Sequence, residues 1–139
     1  MVLLGVRNFI FVGHIDMKVK CKMGLIDCNT ESDIEKIIME CATGGDKIWM
    51  YEVRDDEHPR LSIHINKEKA IVCYFSIEPF GSYQSVGNGN ANDTTEFLTN
   101  GEMWIAPNDT VVPLLSAVEC AKQFFITKKR PSCIEWSEL

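Results

Sequence analysis

Residues 61–77, "LSIHINKEKAIVCYFSI", constrain the fold more than any other stretch of the sequence. The first six residues alternate between apolar and polar side chains, which is typical of a half-buried strand with Leu61, Ile63 and Ile65 inward. A polar turn follows, and then "AIVCYFSI", which is apolar on both faces as in a central strand. Together with the preceding "KIWMYEV", these segments predict an antiparallel meander.

Two further segments have the apolar periodicity of amphipathic helices. In "DCNTESDIEKIIMECATGG" the apolar residues form one stripe that ends at Gly44 and Gly45. Thr30 or Asn29 can cap its start, and Asp33 follows Thr30 at the spacing of a capping box. In "VVPLLSAVECAKQFFITKKR" a second stripe runs as far as Phe125, and Pro131 ends the helix. The sequence therefore predicts two helices.

The length of 139 residues and an apolar content of 45% suit a single globular domain. The alternating stretch "MKVKCKMGL", residues 17–25, predicts a first strand, whereas the Gly/Asn-rich residues 79–101 predict a long polar loop. Within that loop "TTEFL" is expected as a short strand, and "EMWIA" just after it as another. We predict an α+β fold: one domain over residues 17–139, with an antiparallel β-sheet of about five or six strands and two α-helices packed against it.

The start of the chain has no recognisable secretion signal. Residues 1–16 are apolar but interrupted by Arg7 and Asn8, lack a basic beginning and a small-residue cleavage site, and are too short to span a bilayer. We interpret them as an N-terminal strand or a poorly ordered extension. The six cysteines are then expected to be reduced thiols, which favours a cytoplasmic protein.

The net charge of the chain restricts the classes of molecule that it can bind. A net charge of −6 argues against nucleic acid, because phosphate contacts require Lys and Arg. An acidic surface instead favours solubility or a basic partner. Without an apolar stretch long enough to span a bilayer, we expect no membrane partner either.

The sequence lacks a recognisable catalytic set. Each of the three histidines is more simply a surface residue than a catalytic base: His14 precedes the predicted domain, His58 lies in a turn, and His64 is expected on the polar side of its strand. The cysteines form no C-x-x-C pair and no histidine completes a zinc site, so we predict neither a metal nor a cofactor. "GNGNAND" lacks the spacing of a phosphate-binding loop and is interpreted as a flexible recognition or connecting loop. These features favour a binding protein over an enzyme.

The stretch "AKQFFITKKRPSCIEWSEL" resembles the C-terminal signature of the bacterial polymorphic-toxin immunity protein family one, whose members are encoded beside cytidine-deaminase-type toxins. The family pattern is a helix ending in a Gln-Phe-Phe-like run, then a basic turn with proline, then Trp-x-Glu close to the terminus. In this chain it falls on Gln123, Phe124, Phe125, Lys129, Arg130, Pro131, Trp136 and Glu138. A looser similarity extends upstream, so that the resemblance covers residues 17–139.

The resemblance implies an α+β protein, without catalytic activity, that binds and silences its cognate toxin inside the producing cell. The physical picture is consistent, because a deaminase that acts on nucleic acid needs a basic groove, and an acidic partner can block that groove or the active site and exclude the substrate. Two alternatives stay open at this stage. One is immunity against a toxin of another activity, and the other is an α+β domain that binds a small ligand or a peptide.

The residues expected to contact the toxin fall in three places. Acidic side chains in "RDDEHPR" offer charge contacts, the polar loop offers hydrogen bonds, and the tail offers an indole ring and a carboxylate. For Trp136, packing in the core or at a sheet edge is the simpler interpretation, with toxin contact as the alternative. The predicted contact residues are Asp55, Asp56, Glu57, Tyr83, Gln84, Asn88, Asn90, Asn92, Trp136 and Glu138.

Overall fold

An antiparallel sheet with two helices on one face is the framework of the computed structural model, which describes residues 17–52, 58–77, 79–99 and 101–139. In chain order the elements are β1 (Met17–Cys21), β2 (Gly24–Cys28), α1 (Glu31–Ala42), β3 (Asp46–Tyr51), β4 (Arg60–Asn66), β5 (Lys69–Ile77), β6 (Phe80–Val86), β7 (Thr94–Thr99), β8 (Glu102–Pro107), a 3-10 turn (Asn108–Thr110), β9 (Val112–Pro113), α2 (Leu114–Thr127) and β10 (Glu135–Glu138). The main sheet has the order β10-β6-β5-β4-β3-β1-β2, with β9 paired to β5, while β7 and β8 pair with each other.

The predicted α+β class, the antiparallel sheet and the two helices are confirmed, but the predicted number of strands is wrong. Eight strands of the described chain form the main sheet, rather than five or six. Residues 17–25, predicted as one strand, belong to the hairpin β1–β2, in which Lys22 and Met23 make the turn. The apolar/polar alternation continues through that turn, so periodicity alone does not reveal it. The strands predicted from the sequence also do not include β6 and β9.

β6 belongs to the main sheet although its sequence, "FGSYQSV", is largely polar. It pairs with β5 on one side and with β10 on the other, so backbone hydrogen bonds hold both of its edges. Buried Ser85 accepts a hydrogen bond from the Val72 backbone N–H at 3.1 Å and donates one to the Thr110 carbonyl at 2.7 Å. The predicted long loop over residues 79–101 is therefore wrong for Phe80–Val86. The short strand predicted within it is confirmed as β7, and the one predicted just after it is confirmed as β8.

α1 begins at the capping box that the sequence predicts. The Asp33 backbone N–H donates to Thr30 Oγ1 at 3.1 Å, and the Thr30 backbone N–H donates to Asp33 Oδ2 at 3.2 Å. This reciprocal pair satisfies backbone groups that a helix end otherwise leaves without partners, so it fixes where α1 starts. The predicted stripe is buried and consists of Ile34, Ile37, Ile38 and Cys41.

α2 ends earlier than the sequence predicts. Lys128 adopts the left-handed conformation (φ 58°) and donates its backbone N–H to the Phe124 carbonyl at 2.8 Å, which closes the helix before the basic run. The predicted apolar face is confirmed by burial of Leu114, Ala117, Val118, Ala121, Phe124 and Phe125. Together with α1 and the sheet, this face encloses the main core. Neither helix in the described part of the chain is long and apolar enough to cross a bilayer.

The β7–β8 hairpin, residues 94–107 and called the ribbon below, packs on the sheet face opposite the helices. Its inward residues Phe97 and Ala106 are fully buried against Ile71 and Cys73 of β5. The ribbon also lies against β3 and β4. A second, smaller core therefore forms on the face of the sheet that the strand pattern alone assigns to solvent.

The ribbon buries His64, so the sequence-based expectation that this side chain faces solvent is wrong. His64 does lie on the face opposite Ile63, as alternation requires, but it is only 7% exposed. Its ring centroid is 4.5 Å from that of Trp104, and its Nδ1 lies 3.0 Å from Thr99 Oγ1. Burial lowers the pKa of His64 to about 4, and the charge of Lys47 adds to this effect.

We expect His64 to make the protein less stable in mild acid. Its folded-state pKa lies below the ordinary value of 6.5, so the unfolded chain binds the proton more tightly between these values. The free energy of unfolding should therefore fall as pH decreases from about 6.5 to about 4, by about 3 kcal/mol from this group. Urea unfolding at several pH values measures this dependence, and in His64→Asn its slope over the same range should be smaller. An equal slope in both proteins would contradict the buried, neutral histidine.

Candidate functional site

The C-terminal tail forms the edge strand β10, as its alternation predicts. Trp136 is half-buried on the helix-facing side, with its ring centroid 6.5 Å from that of Tyr74. Its Nε1–H donates a hydrogen bond to the Pro131 carbonyl at 2.7 Å. Both contacts tie β10 to the main core, so the indole packs as a sheet-edge residue.

The pairing of β6 with β10 brings together four predicted contact residues. Glu138 lies opposite Tyr83 in the register, and Gln84 is the next residue of β6. Because successive side chains of a strand point to opposite faces, Tyr83, Trp136 and Glu138 share the helix-facing side, while Gln84 lies on the other side. The Arg130 guanidinium lies 4.4 Å from the Tyr83 ring centroid. The tail therefore presents aromatic and charged groups at one edge of the sheet.

Asn88, Asn90 and Asn92 are exposed in the loop that joins β6 to β7. The Asn92 backbone N–H donates to Asn90 Oδ1 at 2.9 Å, and the Gly87 backbone N–H donates to the Asp109 carbonyl at 2.7 Å. These hydrogen bonds hold the loop at its tip and at its base. The stretch interpreted from composition as flexible is therefore a short loop with a defined shape.

Two glycines fix the base of this loop against the 3-10 turn. A Cβ atom at Gly87 would lie 1.8 Å from the Val111 carbonyl oxygen, and one at Gly89 would lie 2.6 Å from the Asn108 carbonyl oxygen. Backbone atoms are the obstacle in both cases, so no side chain can move aside to make room. Only glycine allows the two backbones to approach this closely.

Asp55, Asp56 and Glu57 lie outside the described residues, in the segment that connects β3 to β4. Their charge contacts with a toxin stay a prediction.

A further surface, which periodicity along the chain does not reveal, is here called the open sheet face. It is made by Lys20, Lys47, Trp49, Arg60 and Phe75. These residues lie on the side of the sheet that carries the ribbon, and none of them is fully buried. The strand register assembles them, because Lys20 lies opposite Trp49 and Arg60 lies opposite Phe75. The signal in the sequence is the set of basic and aromatic residues at outward positions of four strands, which becomes a cluster only once the strand order is known.

Cations stack on aromatic rings across the open sheet face. The Arg60 guanidinium lies 4.5 Å from the Trp49 ring centroid and 5.3 Å from that of Phe75, and Lys47 Nζ lies 4.1 Å from the Trp49 ring centroid. Such contacts stabilise a cation over the negative face of the ring. Burial lowers the pKa of Lys47, and the charge of Arg60 contributes in the same direction.

Two grooves run over the open sheet face and join. The larger has a volume of about 480 Å³ and reaches Leu98 and Gly101 of the ribbon segment, and the smaller has a volume of about 200 Å³ and reaches Arg60. Both are lined by Lys20 and Trp49, so they form one continuous depression. Among the described residues, no three His, Cys, Asp or Glu side chains are grouped as a metal site requires. The surfaces of the site offer ionic, cation–π and hydrogen-bonding contacts.

Thiol reagents should distinguish the cysteines of the native protein. Burial raises the pKa of Cys28 to about 11 and that of Cys41 to about 12, and it also raises the pKa of Cys120. Cys133 is exposed, with its Sγ 3.3 Å from that of Cys120. Because the thiolate is the reactive form, brief alkylation followed by peptide mass spectrometry should find Cys133 modified first. Urea-unfolded protein, as the control, should show no such preference, and rapid native labelling of Cys28 or Cys41 would contradict the structure.

The sequence also matches a known family of proteins. The sequence model of the family described as "Immunity protein Imm1" matches residues 26–138, which include both helices and the C-terminal Trp136 and Glu138. The match covers most of the chain. The chain therefore belongs to the Imm1 immunity protein family, and the resemblance inferred from its C-terminal signature is confirmed.

A relative with a more specific description is the "Double-stranded DNA deaminase immunity protein" of Burkholderia cenocepacia (strain H111). It is 38% identical to this chain over 84 residues, which make up 58% of this chain and 66% of the relative. The match thus spans just under two thirds of the relative's length. The similarity is consistent with the family assignment and names one kind of toxin that a related protein counters.

Proposed function

We propose that this chain is an immunity protein that binds a cognate deaminase-type bacterial toxin and blocks its active site or nucleic-acid cleft. The observation that carries the proposal is the match to the Imm1 family over residues 26–138, together with a 38% identical relative named for a double-stranded DNA deaminase. The proposed action protects the producing cell from within its cytoplasm. It requires binding alone, without catalysis, a cofactor, nucleic acid or a membrane.

The fold supports an inhibitor that acts as a preformed surface. The loop from Gly87 to Asp93 is held to the 3-10 turn, and β10 is held to the core through Trp136. Contacts that are already ordered lose little conformational entropy on binding, which favours tight association. The net charge of −6 complements the basic cleft that a deaminase needs for nucleic acid.

The proposal is tested by mixing the purified chain with the toxin domain encoded beside its gene. Deamination of double-stranded DNA is measured while the chain is added in increasing amounts. We expect activity to fall until the molar amount of the chain equals that of the toxin, and then to stay low. An unrelated acidic protein of similar size serves as the control for charge alone.

Two outcomes would overturn the proposal in different ways. A toxin that stays fully active in the presence of excess chain would exclude inhibition. If the neighbouring toxin is inhibited but proves to cleave nucleic acid or to modify another target, the immunity function stands. The assignment of a deaminase as the target is then excluded.

A further inference from the structure

The open sheet face has a charge opposite to that of the whole chain. The protein carries a net charge of −6, yet Lys20, Lys22 and Lys47 line the larger groove and Arg60 lines the smaller one. Among the residues that the structure describes, Asp46 is the one carboxylate that lines these grooves, and its Oδ2 already accepts the Lys22 backbone N–H at 2.7 Å. The depression is therefore locally basic on an acidic protein.

These cations lack carboxylate partners within the part of the chain that the structure describes. Lys18 pairs with Asp27, and Lys122 pairs with Glu35, but Lys20, Lys47 and Arg60 take part in no ion pair with a described residue. These three cations instead face the rings or the groove. A charged group that is partly desolvated and unpaired costs free energy, and a carboxylate from outside would offset that cost.

Arg60 is held in an orientation that suits a carboxylate. Its Nε is buried and has no hydrogen-bond acceptor among the described residues, and its guanidinium is stacked on Trp49 and Phe75. Contacts with two rings restrict the position of the guanidinium, which binds other groups through its N–H donors. A guanidinium held in this way binds a carboxylate through two parallel hydrogen bonds more readily than a lysine does.

An apolar surface adjoins the basic depression. On the outer side of the ribbon, Leu98 lies opposite Met103 in the register, and Ile105 lies two residues further along β8. Their exposed fractions are 41%, 57% and 58%. Leu98 also lines the larger groove, so the apolar and basic areas are contiguous. A mixed surface of this kind matches a folded protein better than a phosphate backbone, which offers charge without apolar area.

We propose that the open sheet face receives an acidic loop or strand of the toxin, whose carboxylates pair with Lys20, Lys47 and Arg60 while neighbouring apolar residues cover the outer side of the ribbon. This inference rests on the proposed function, because it takes the partner to be the toxin. The inference adds a second, basic contact to the proposed function, in which an acidic surface of this chain faces the nucleic-acid cleft of the toxin. Two patches of opposite charge on each partner fix the orientation of the complex and disfavour other toxins.

The test compares two charge reversals on exposed lysines of opposite faces. Lys20→Glu changes the open sheet face, and Lys36→Glu makes the same change on α1, on the other side of the sheet. The probe is the neighbouring toxin domain, inactivated by replacing the glutamate that transfers protons in deaminases. We expect Lys20→Glu to raise the Kd of the complex by about tenfold or more and Lys36→Glu to change it less than about twofold.

A second variant tests the geometry of Arg60 rather than its charge. Arg60→Lys keeps the positive charge but removes the planar pair of donors, so we expect the Kd to rise by about fivefold or more. Thermal unfolding of each free variant shows whether the domain is intact. Raising the salt concentration should weaken the wild-type complex more than the Lys20→Glu complex, because the variant has lost part of the attraction that salt screens.

The outcomes separate this inference from the proposed function. If the wild-type chain does not bind the toxin, the proposed function fails. If the wild type binds and Lys20→Glu and Arg60→Lys bind equally well, the toxin-contact role of the open sheet face is overturned while immunity stands. Binding of a labelled single-stranded oligonucleotide that Lys20→Glu weakens, with unchanged toxin binding, would assign this face to nucleic acid and also overturn the inference.

Discussion

Replacing Phe97 with alanine is expected to lower the free energy of unfolding by about 4 kcal/mol, because the change removes a large buried ring and leaves a cavity. Phe97 is fully buried in the smaller core and holds the ribbon on the sheet. Its ring centroid lies 6.1 Å from that of Trp104 and 6.4 Å from that of His64. Urea denaturation, monitored by tryptophan fluorescence, measures the loss of stability.

The same variant should change the titration of His64. If the ribbon loosens, His64 becomes hydrated and its pKa should rise from about 4 towards its ordinary value of 6.5, which NMR can follow. Leu98→Ala is the matched control, because Leu98 is the next residue of β7 and lies on the exposed side. It should cost less than about 0.5 kcal/mol. Equal destabilisation by both substitutions would contradict the packing of the ribbon.

Trp136→Ala should destabilise the domain by about 3 kcal/mol, towards the low end for a tryptophan because the side chain is only half-buried. The substitution removes the contact with Tyr74 and the hydrogen bond to the Pro131 carbonyl. β10 should then separate from β6, and protection against toxin should fall together with stability. Thermal unfolding and toxin inhibition are measured on the same preparations.

Trp136→Phe separates packing from hydrogen bonding. Phenylalanine keeps an aromatic ring near Tyr74 but lacks the indole N–H, so we expect a loss of about 1 kcal/mol. Inhibition should be almost unchanged in this variant at a temperature where it is folded. Unchanged stability of Trp136→Ala combined with lost protection would instead show that the indole contacts the toxin directly.

Local chemistry made parts of the fold predictable. Thr30 and Asp33 predict the start of α1, because a capping box needs both residues at that spacing. β5 is recognisable because its central residues are apolar on both faces. β6 was missed because its stability comes from paired backbone groups and from hydrogen bonds of Ser85, which hydrophobic periodicity does not report.

Longer-range relations account for the other differences. His64 was assigned to solvent because alternation gives the face of a strand but not what covers that face, and here the ribbon, some thirty residues further along the chain, covers it. The open sheet face was missed for a related reason. Lys20, Trp49 and Arg60 lie on separate strands, and only the register of β1, β3 and β4 brings their side chains together.

The loop after β6 is anchored to the 3-10 turn, and its positions therefore differ in whether they tolerate a substitution. Gly87 and Gly89 meet backbone atoms of the opposing turn, so a side chain at either position forces the two backbones apart. Asn88 and Asn90 are exposed at the tip, and the described side-chain hydrogen bond of Asn90 stays within the loop. Substitutions at the tip can therefore change the chemistry that the loop exposes, while the two glycines keep the scaffold unchanged.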